Sequence, residues 1–358
     1  MLFLTRLFGV TASEADRDIT REPADIEQII TRSLLMQANS ASQQRRPIGR
    51  GTHVKGVCAR AEFEVFDVTE GRDSALAERL AKGLCQAWRL SRYCAVWKCG
   101  SEEKNSDFKA DVRSMSFSVD LSDDGQVRDG APARQDFSMQ NTTTLPINDS
   151  PAFLAIVKVL TASNPAAGLW SLSFKDRLRV LRILTLVQVQ AHQTIKPYQQ
   201  LRYGSNVPFR HGPIDVVKYS ATPSPDNPAR PLQKSIPNGL QDELVRHVQQ
   251  DNKMSSFDFG VQFLDTDRMT YWGKHHDANF WIENASVEWK ESEAPFHNVA
   301  QLTILRGSHL GVDEAKAVYF DVTGNCSRDS TPVGGINRAR SPAEAASRKA
   351  RMASAQQV

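Results

Sequence analysis

A stretch of alternating apolar and polar residues at 57–67 constrains the fold of this chain more than any other feature. Every second position is apolar, namely Val57, Ala59, Ala61, Phe63 and Val65. A period of two is that of a β-strand with one buried face, since successive side chains point to opposite sides of a sheet. The stretch therefore predicts a strand that contributes to the core.

About eight strands are expected in all, most of them alternating in the same way. The clearest others lie at 93–98, 111–119, 215–220, 257–264 and 299–305. Helical spacing of apolar residues predicts helices at 26–36, 74–90, 151–161 (with Ser150 as its cap) and 176–192. The helix at 176–192 has apolar residues on most of its faces, so we expect it to be buried. The pattern favours an α+β fold, an antiparallel eight-stranded β-barrel with surrounding helices.

Composition excludes several classes of protein. The chain has 358 residues, of which 40% are hydrophobic and 24% charged, as in a water-soluble globular protein. A formal charge of +3 gives no case for nucleic acid binding. The five cysteines form no C-x-x-C pair, which speaks against a disulfide framework and favours a reducing compartment.

The first ten residues are apolar but are interrupted by Arg6. They are too short for a transmembrane helix, and they lack the pattern of a signal peptide. We therefore expect a cytoplasmic protein without a transmembrane segment. Three regions are expected: an amino-terminal arm at 1–48, a barrel domain at 49–340 and a basic helical tail at 341–358.

Three motifs in order suggest a function. Arg50 and His53 form an R-x-x-H-x-K-G sequence immediately before the first strand. The D-V-R sequence that ends at Arg113 opens the strand at 111–119. Asn141 lies in Q-N-T, eight residues before Asp149. Each motif alone is typical of surface arginines and turn asparagines, and only their shared order and spacing make a chance match improbable.

In this order, the motifs resemble the monofunctional haem catalases, and in particular their short, mini-catalase type. The resemblance covers roughly residues 50–340 and extends to V-E-W and the strand that follows it. It implies one haem b, with His53 as the distal acid and base and Asn141 as the residue that orients the peroxide. It also implies that Arg50 and Arg113 bind the haem propionates, a role that suits bidentate guanidinium groups.

The residue types suit peroxide chemistry. Cleavage of a peroxide needs a base that accepts a proton from one oxygen and returns it to the other, and an imidazole can do both near neutral pH. Thr52 departs from the catalases, which usually carry valine there, and it resembles the catalase-related allene oxide synthases, which act on fatty-acid hydroperoxides. We therefore expect an organic or lipid hydroperoxide as substrate rather than hydrogen peroxide. Thr52 also fits as an ordinary β-branched strand residue.

The proximal side of the haem site departs further from the family. The catalases bind iron through a tyrosinate in R-x-x-x-Y, after a segment that resembles P-V-G-G-I-N-R-A-R at 332–340. Here Glu344 stands four residues after Arg340, and no tyrosine follows Tyr319. Three interpretations stay open: Glu344 binds the iron, iron has no protein ligand on that side, or the chain is an inactive descendant.

Three functions are therefore carried forward. The first is a haem-dependent oxidoreductase acting on organic hydroperoxides. The second is a weak catalase, and the third is a non-catalytic haem-binding or haem-free barrel protein. The adjacent histidines His275 and His276 are read as part of an exposed loop rather than as metal ligands, since no third ligand is evident. The resemblance also implies a homo-oligomer.

Overall fold

The computed structural model describes residues 21–43, 48, 55–68, 70–83, 92–101, 106–121, 134–227, 231–232 and 236–355. Its strands are β1 Lys55–Val65, β2 Arg92–Ser101, β3 Arg113–Asp120, β4 Arg134–Gln140, β5 Tyr203–Gly204, β6 Phe209–His211, β7 Asp215–Pro223, β8 Ser255–Phe263 and β9 Phe296–His309. Its α-helices are α1 Glu22–Gln43, α2 Ser74–Leu80, α3 Ser150–Leu160, α4 Pro165–Trp170, α5 Phe174–Ala191, α6 Gly239–Val245, α7 Ala278–Glu283, α8 Val312–Ala317 and α9 Gly335–Ala355.

The strands form one antiparallel sheet that nearly closes on itself. Its order is β5-β4-β3-β2-β1-β9-β8-β7-β6, and β5 pairs with β7 as well as with β4. Eight strands thus form a ring, and β6 adds to the outer edge of β7. The expected antiparallel eight-stranded barrel with surrounding helices is confirmed. Closure matters physically because it pairs backbone groups that an open edge would leave exposed.

Aromatic rings fill the interior of the barrel. Phe117 stacks on Phe137 with ring centroids 4.6 Å apart, and Phe259 meets Phe137 edge to face at 5.2 Å. Phe63 joins them at 5.3 Å from Phe259. All four side chains are fully or almost fully buried. The alternation of β1 therefore has the predicted effect, since its apolar residues make one wall of this core.

A layer of helices packs outside the barrel. The helices α1 and α9 pack on each other, and α3 packs against α1 and α5. Their shared core includes Ile29, Val157, Val180 and Ala339. Asp149 caps α3 by accepting a hydrogen bond from the Ala152 amide at 2.8 Å. The prediction that Ser150 caps this helix was wrong, because the Ser150 hydroxyl donates to the Gly335 carbonyl of α9 instead.

Two other helix predictions need correction. The helix predicted at 74–90 ends at Leu80, and Gly83 lies in the left-handed region with φ +57°; residues 84–90 lie outside the described part. The helix predicted at 176–192 is present as α5, but it is not buried. Only Val180 and Ile183 of α5 are buried, because α3 covers just one of its sides.

A third apolar cluster covers the outer face of β7 and β8. It contains Trp281, Val287 and Trp289 from the segment that follows β8. Lys218 of β7 points into it and is almost fully buried. Burial lowers the pKa of Lys218 to about 7, although Glu288 opposes the shift. Among the described residues, no helix is long and apolar enough to span a membrane.

Candidate functional site

One row of residues crosses four neighbouring strands at an end of the barrel. Lys55 of β1 pairs with Ser101 of β2, which in turn pairs with Arg113 of β3. The backbone amide of Asn141, directly after β4, donates to the Arg113 carbonyl at 2.9 Å. Since paired strands lie about 4.8 Å apart, the row places the start of β1 about 14 Å from Asn141. The register thus gathers three of the sequence motifs at one barrel end.

Arg113 lies in this row with its guanidinium group turned to protein partners. Its side chain is only 4% exposed and pairs with Asp111 at 2.6 Å. Its other amino group donates to the carbonyl oxygens of Asp107 and Lys109. A propionate would therefore have to exchange with the Asp111 carboxylate in order to reach this arginine.

Asn141 is held by hydrogen bonds on both sides of its amide. Its side-chain oxygen accepts from the Arg113 backbone amide at 2.7 Å. Its side-chain nitrogen donates to the Gln193 side-chain oxygen at 3.2 Å. The two contacts fix the Asn141 amide in one orientation, and its neutral donor is directed to Gln193.

The predicted distal residues Arg50, Thr52 and His53 lie outside the described residues. The described chain on either side is anchored. The Ile48 amide donates to the Ser354 hydroxyl of α9 at 3.0 Å, and Lys55 begins β1 beside Ser101.

The helix α9 begins at the G-G-I-N-R motif and depends on its first glycine. Gly334 has φ +91°, and a Cβ atom there would lie 2.5 Å from the Ile282 carbonyl oxygen. The chain could not make this approach with any other residue without a shift of the backbone. The motif thus fixes where α9 starts, and α9 continues without a break through the domain boundary predicted at 340.

Arg340 and Glu344 form an ion pair one turn apart on α9. This is the i, i+4 arrangement that the sequence predicted for an arginine beside the proximal group. The Glu344 side chain is 39% exposed, so its carboxylate is not sealed by protein. Arg348, one turn further on, stacks on the Tyr319 ring at 3.5 Å, and Arg134 of β4 stacks on the same ring at 4.3 Å.

The residues at the barrel end and those on α9 differ in how they fit the expected haem. At the barrel end, Asn141 offers a neutral donor and Arg113 a buried cation. On α9, Glu344 offers a carboxylate beside the guanidinium group of Arg340. A carboxylate can bind iron through an anionic oxygen, but α9 contains no tyrosine that could supply a tyrosinate. Among the described residues, no group of three or more His, Cys, Asp and Glu side chains could hold a metal ion.

The adjacent histidines follow β8 and precede α7 in the chain. His275 is exposed, and the His276 ring stacks on Phe280 at 3.9 Å. The exposure of His275 agrees with the predicted loop. One residue of the site escaped the sequence reasoning: Gln193, which follows α5 and has no motif around it.

Solved structures of catalases share this fold at low sequence identity. A fungal catalase matches with a TM-score of 0.56 and 14% identity, over 82% of this chain and 57% of its own. A bacterial catalase matches with a TM-score of 0.54 and 11% identity, over 88% of this chain and 60% of its own. Catalase A from Saccharomyces cerevisiae matches with a TM-score of 0.57 and 12% identity, over 87% and 61%.

At these identities the likeness concerns the fold. No protein-family model and no curated protein matches the sequence. The chain spans 57–61% of the length of these catalases, and the match includes most of the chain. The architecture described above, an antiparallel barrel with helices packed around it, is that of the catalases.

Proposed function

We propose that this protein is a haem-dependent oxidoreductase that acts on organic hydroperoxides, such as those of fatty acids, in preference to hydrogen peroxide. The observation that carries the proposal is the row Lys55–Ser101–Arg113–Asn141 at one barrel end. Three of its members, Lys55, Arg113 and Asn141, belong to motifs that resemble the catalases. The catalase fold supports the same assignment.

In this proposal, Arg50 and Arg113 bind the propionates, and Arg340 and Glu344 occupy the proximal side. Haem supplies the redox chemistry at its iron when it is bound. His53 accepts a proton from one hydroperoxide oxygen and returns it to the other. Asn141 orients the peroxide with its side-chain nitrogen, which donates to Gln193 in this structure. As a neutral amide, it does so without a change of charge as pH changes.

The preference for organic hydroperoxides rests on Thr52. A hydroxyl beside the distal imidazole can hydrogen-bond to it and select one orientation or tautomer. Valine, the usual residue in catalases, cannot. A weak catalase that degrades hydrogen peroxide is the nearest alternative within the same chemistry.

A second candidate function is favoured by the ion pairs at the barrel end and on α9. Arg113 is paired with Asp111 in a buried setting, and Glu344 is paired with Arg340. A barrel protein without catalysis, with or without haem, would keep these pairs. The two candidates differ in whether the protein consumes a peroxide when haem is bound.

Absorption spectra of the purified full chain, before and after addition of hemin, test the proposal. The expected result is a Soret band that persists in His53→Ala, since His53 moves a proton and does not hold the haem in this proposal, and that is shifted in Glu344→Tyr. Glu314→Gln is the matched control, because Glu314 also pairs with an arginine, Arg60, on an exposed surface. Absence of a Soret band would exclude both haem-dependent readings.

Turnover then separates the substrates. Consumption of a fatty-acid hydroperoxide is measured beside oxygen release from hydrogen peroxide, for the wild type and for Thr52→Val. We expect hydroperoxide consumption to dominate in the wild type and to fall in the variant. Rapid oxygen release without fatty-acid hydroperoxide consumption would replace this proposal with the catalase alternative.

A further inference from the structure

The surface of α4 and α5 is unusually apolar for a part of the molecule that faces solvent. Trp170, the last residue of α4, is 71% exposed, and Phe174, the first of α5, is 70% exposed. Leu181 and Leu184 of α5 are also exposed. The sequence predicted that α5 is buried. In the structure, these apolar side chains of α5 are exposed instead.

These side chains share one side of the helix. Phe174, Leu181 and Leu184 follow one another at intervals of seven and three residues, which on a helix of 3.6 residues per turn keeps them within one narrow stripe. Arg177 lies in the same stripe. Its guanidinium carbon is 5.2 Å from the Trp170 ring centroid and 6.0 Å from that of Phe174. We call these five residues the α5 surface.

The charge around the α5 surface has one dominant sign. Residues 158–192 contain five lysines and arginines and a single acidic residue, Asp176, for a net charge of +4. The whole chain carries only +3. Three of the cations, Lys175, Arg177 and Arg179, belong to the first two turns of α5. The segment that carries the exposed aromatic rings is therefore positively charged.

Exposed apolar side chains bordered by positive charge complement the surface of an anionic membrane. Exposed Trp, Phe and Leu side chains on one side of a helix, bordered by Lys and Arg, are typical of helices that lie in the interface of a membrane. Indole and phenyl rings enter the boundary between headgroups and acyl chains, while the cations attract anionic lipids. A neutral or cationic protein partner would not satisfy the charge.

We propose that the α5 surface docks the protein on an anionic lipid bilayer as a peripheral protein. The docking does not depend on the proposed peroxide chemistry, and it requires neither haem nor catalysis. It would place the protein beside membrane lipids, from which fatty-acid hydroperoxides arise, but each of the two proposals can fail without the other.

Sedimentation with lipid vesicles tests the proposal on the full chain. Vesicles of phosphatidylcholine alone are compared with vesicles that also contain phosphatidylglycerol, at low and high salt. We expect binding to the anionic vesicles that weakens as salt rises, since salt screens exposed charges. Lack of binding to anionic vesicles, or equal binding to both kinds, would overturn the proposal.

Substitutions then locate the contact. The double variant Trp170→Ser, Phe174→Ser is expected to bind anionic vesicles at least about tenfold more weakly. The reason is that two large apolar side chains are no longer transferred from water into the bilayer. Trp272→Ser is the matched control, as Trp272 is 48% exposed on another surface. Lys175→Glu should weaken binding to anionic vesicles and leave the neutral baseline unchanged.

Sedimentation equilibrium provides the competing outcome. A concentration-dependent dimer that the double variant abolishes, together with no vesicle binding, would assign the α5 surface to contact between two copies of this chain and overturn the proposal. Because all substituted side chains are exposed, the variants are expected to fold, and their circular dichroism spectra verify this.

Discussion

The side-chain oxygen of Asn141 accepts a hydrogen bond from the backbone amide of Arg113 at 2.7 Å. The two residues come from motifs 28 positions apart, and the pairing of β3 with β4 brings them together. This contact has a structural role of its own, because it gives a partner to a buried amide. Any catalytic role of Asn141 must therefore be measured separately from its contribution to stability.

Substitution of Asn141 can separate the two roles. Asn141→Ala leaves the Arg113 amide without its partner, and we expect the free energy of unfolding to fall by about 1–3 kcal/mol. Asn141→Asp keeps the acceptor oxygen, so the loss should be smaller, but it removes the neutral donor. Urea denaturation measures the first effect, and hydroperoxide consumption by the hemin-treated protein measures the second.

Gln193→Ala is the control for that pair of variants. Gln193 is exposed, so water can replace its contact with Asn141, and stability should change by less than about 0.5 kcal/mol. Equal stability of Asn141→Ala and the wild type would show that the Arg113 amide does not depend on Asn141.

The ion pair of Arg113 and Asp111 is expected to contribute strongly to stability. Asp111→Asn removes the negative partner of a buried guanidinium group, and such a change typically costs about 3–5 kcal/mol. Because two carbonyl oxygens would still accept hydrogen bonds from Arg113, we expect the loss of stability to lie near the lower end of this range. Urea denaturation at pH 7 measures it.

The matched control is Asp176→Asn, which breaks the more exposed pair with Arg179 on α5. The expected loss is below about 1 kcal/mol. If both variants lose the same amount, the burial of Arg113 has no energetic consequence, and its availability to a propionate has to be reconsidered.

Lys218 makes stability depend on pH. Burial lowers its pKa to about 7 in the folded protein, whereas an unfolded lysine keeps its proton up to a pH of about 10.4. Between these values the unfolded state binds more protons, so the stability of the folded protein rises with pH. From pH 7.5 to 9, we expect a gain of about 2 kcal/mol from this residue.

Lys218→Met provides the comparison, because methionine fills a similar volume without a charge. The gain between pH 7.5 and 9 should be absent in this variant, which should also be the more stable protein at pH 7. Urea midpoints at the two pH values measure both effects. Parallel pH profiles for the two proteins would contradict the assignment.

Arg338 connects three helices. Its guanidinium group pairs with Glu22 at the start of α1 at 2.9 Å and with Glu283 at the end of α7 at 3.0 Å. Arg338→Gln should lower stability by about 1–2 kcal/mol, since charged hydrogen bonds of this kind contribute more than neutral ones. It should also expose the start of α1 to limited proteolysis, which mass spectrometry of the fragments would detect.

Arg60→Gln serves as the control for Arg338. Arg60 pairs with Glu314, and both side chains are more than half exposed. Neither stability nor the proteolytic pattern should change measurably. Cleavage near α1 in both variants alike would show that Arg338 does not retain this helix.

The strands of the barrel could be predicted because their side chains alternate. The period of two at 57–67 gave the strand β1 to within about two residues, and similar patterns gave β2, β3, β7, β8 and β9. The strand β4 was missed because its residues Arg134–Gln140 include polar ones that are buried, such as Gln135 and Asp136. Their partners come from the segment near Asn325 and Ser330, almost two hundred residues away.

The sequence by itself determined the period of the strands, the order of the motifs and the absence of a tyrosine after Tyr319. These are local properties, fixed by which residues stand at which spacing. Tertiary structure alone decided that Asn141 supports Arg113, that Lys218 is covered by the cluster of Trp281 and Trp289, and that α5 is exposed. The reason is physical: burial and hydrogen-bond partners depend on what packs against a residue, and in a closed barrel those neighbours come from distant parts of the chain.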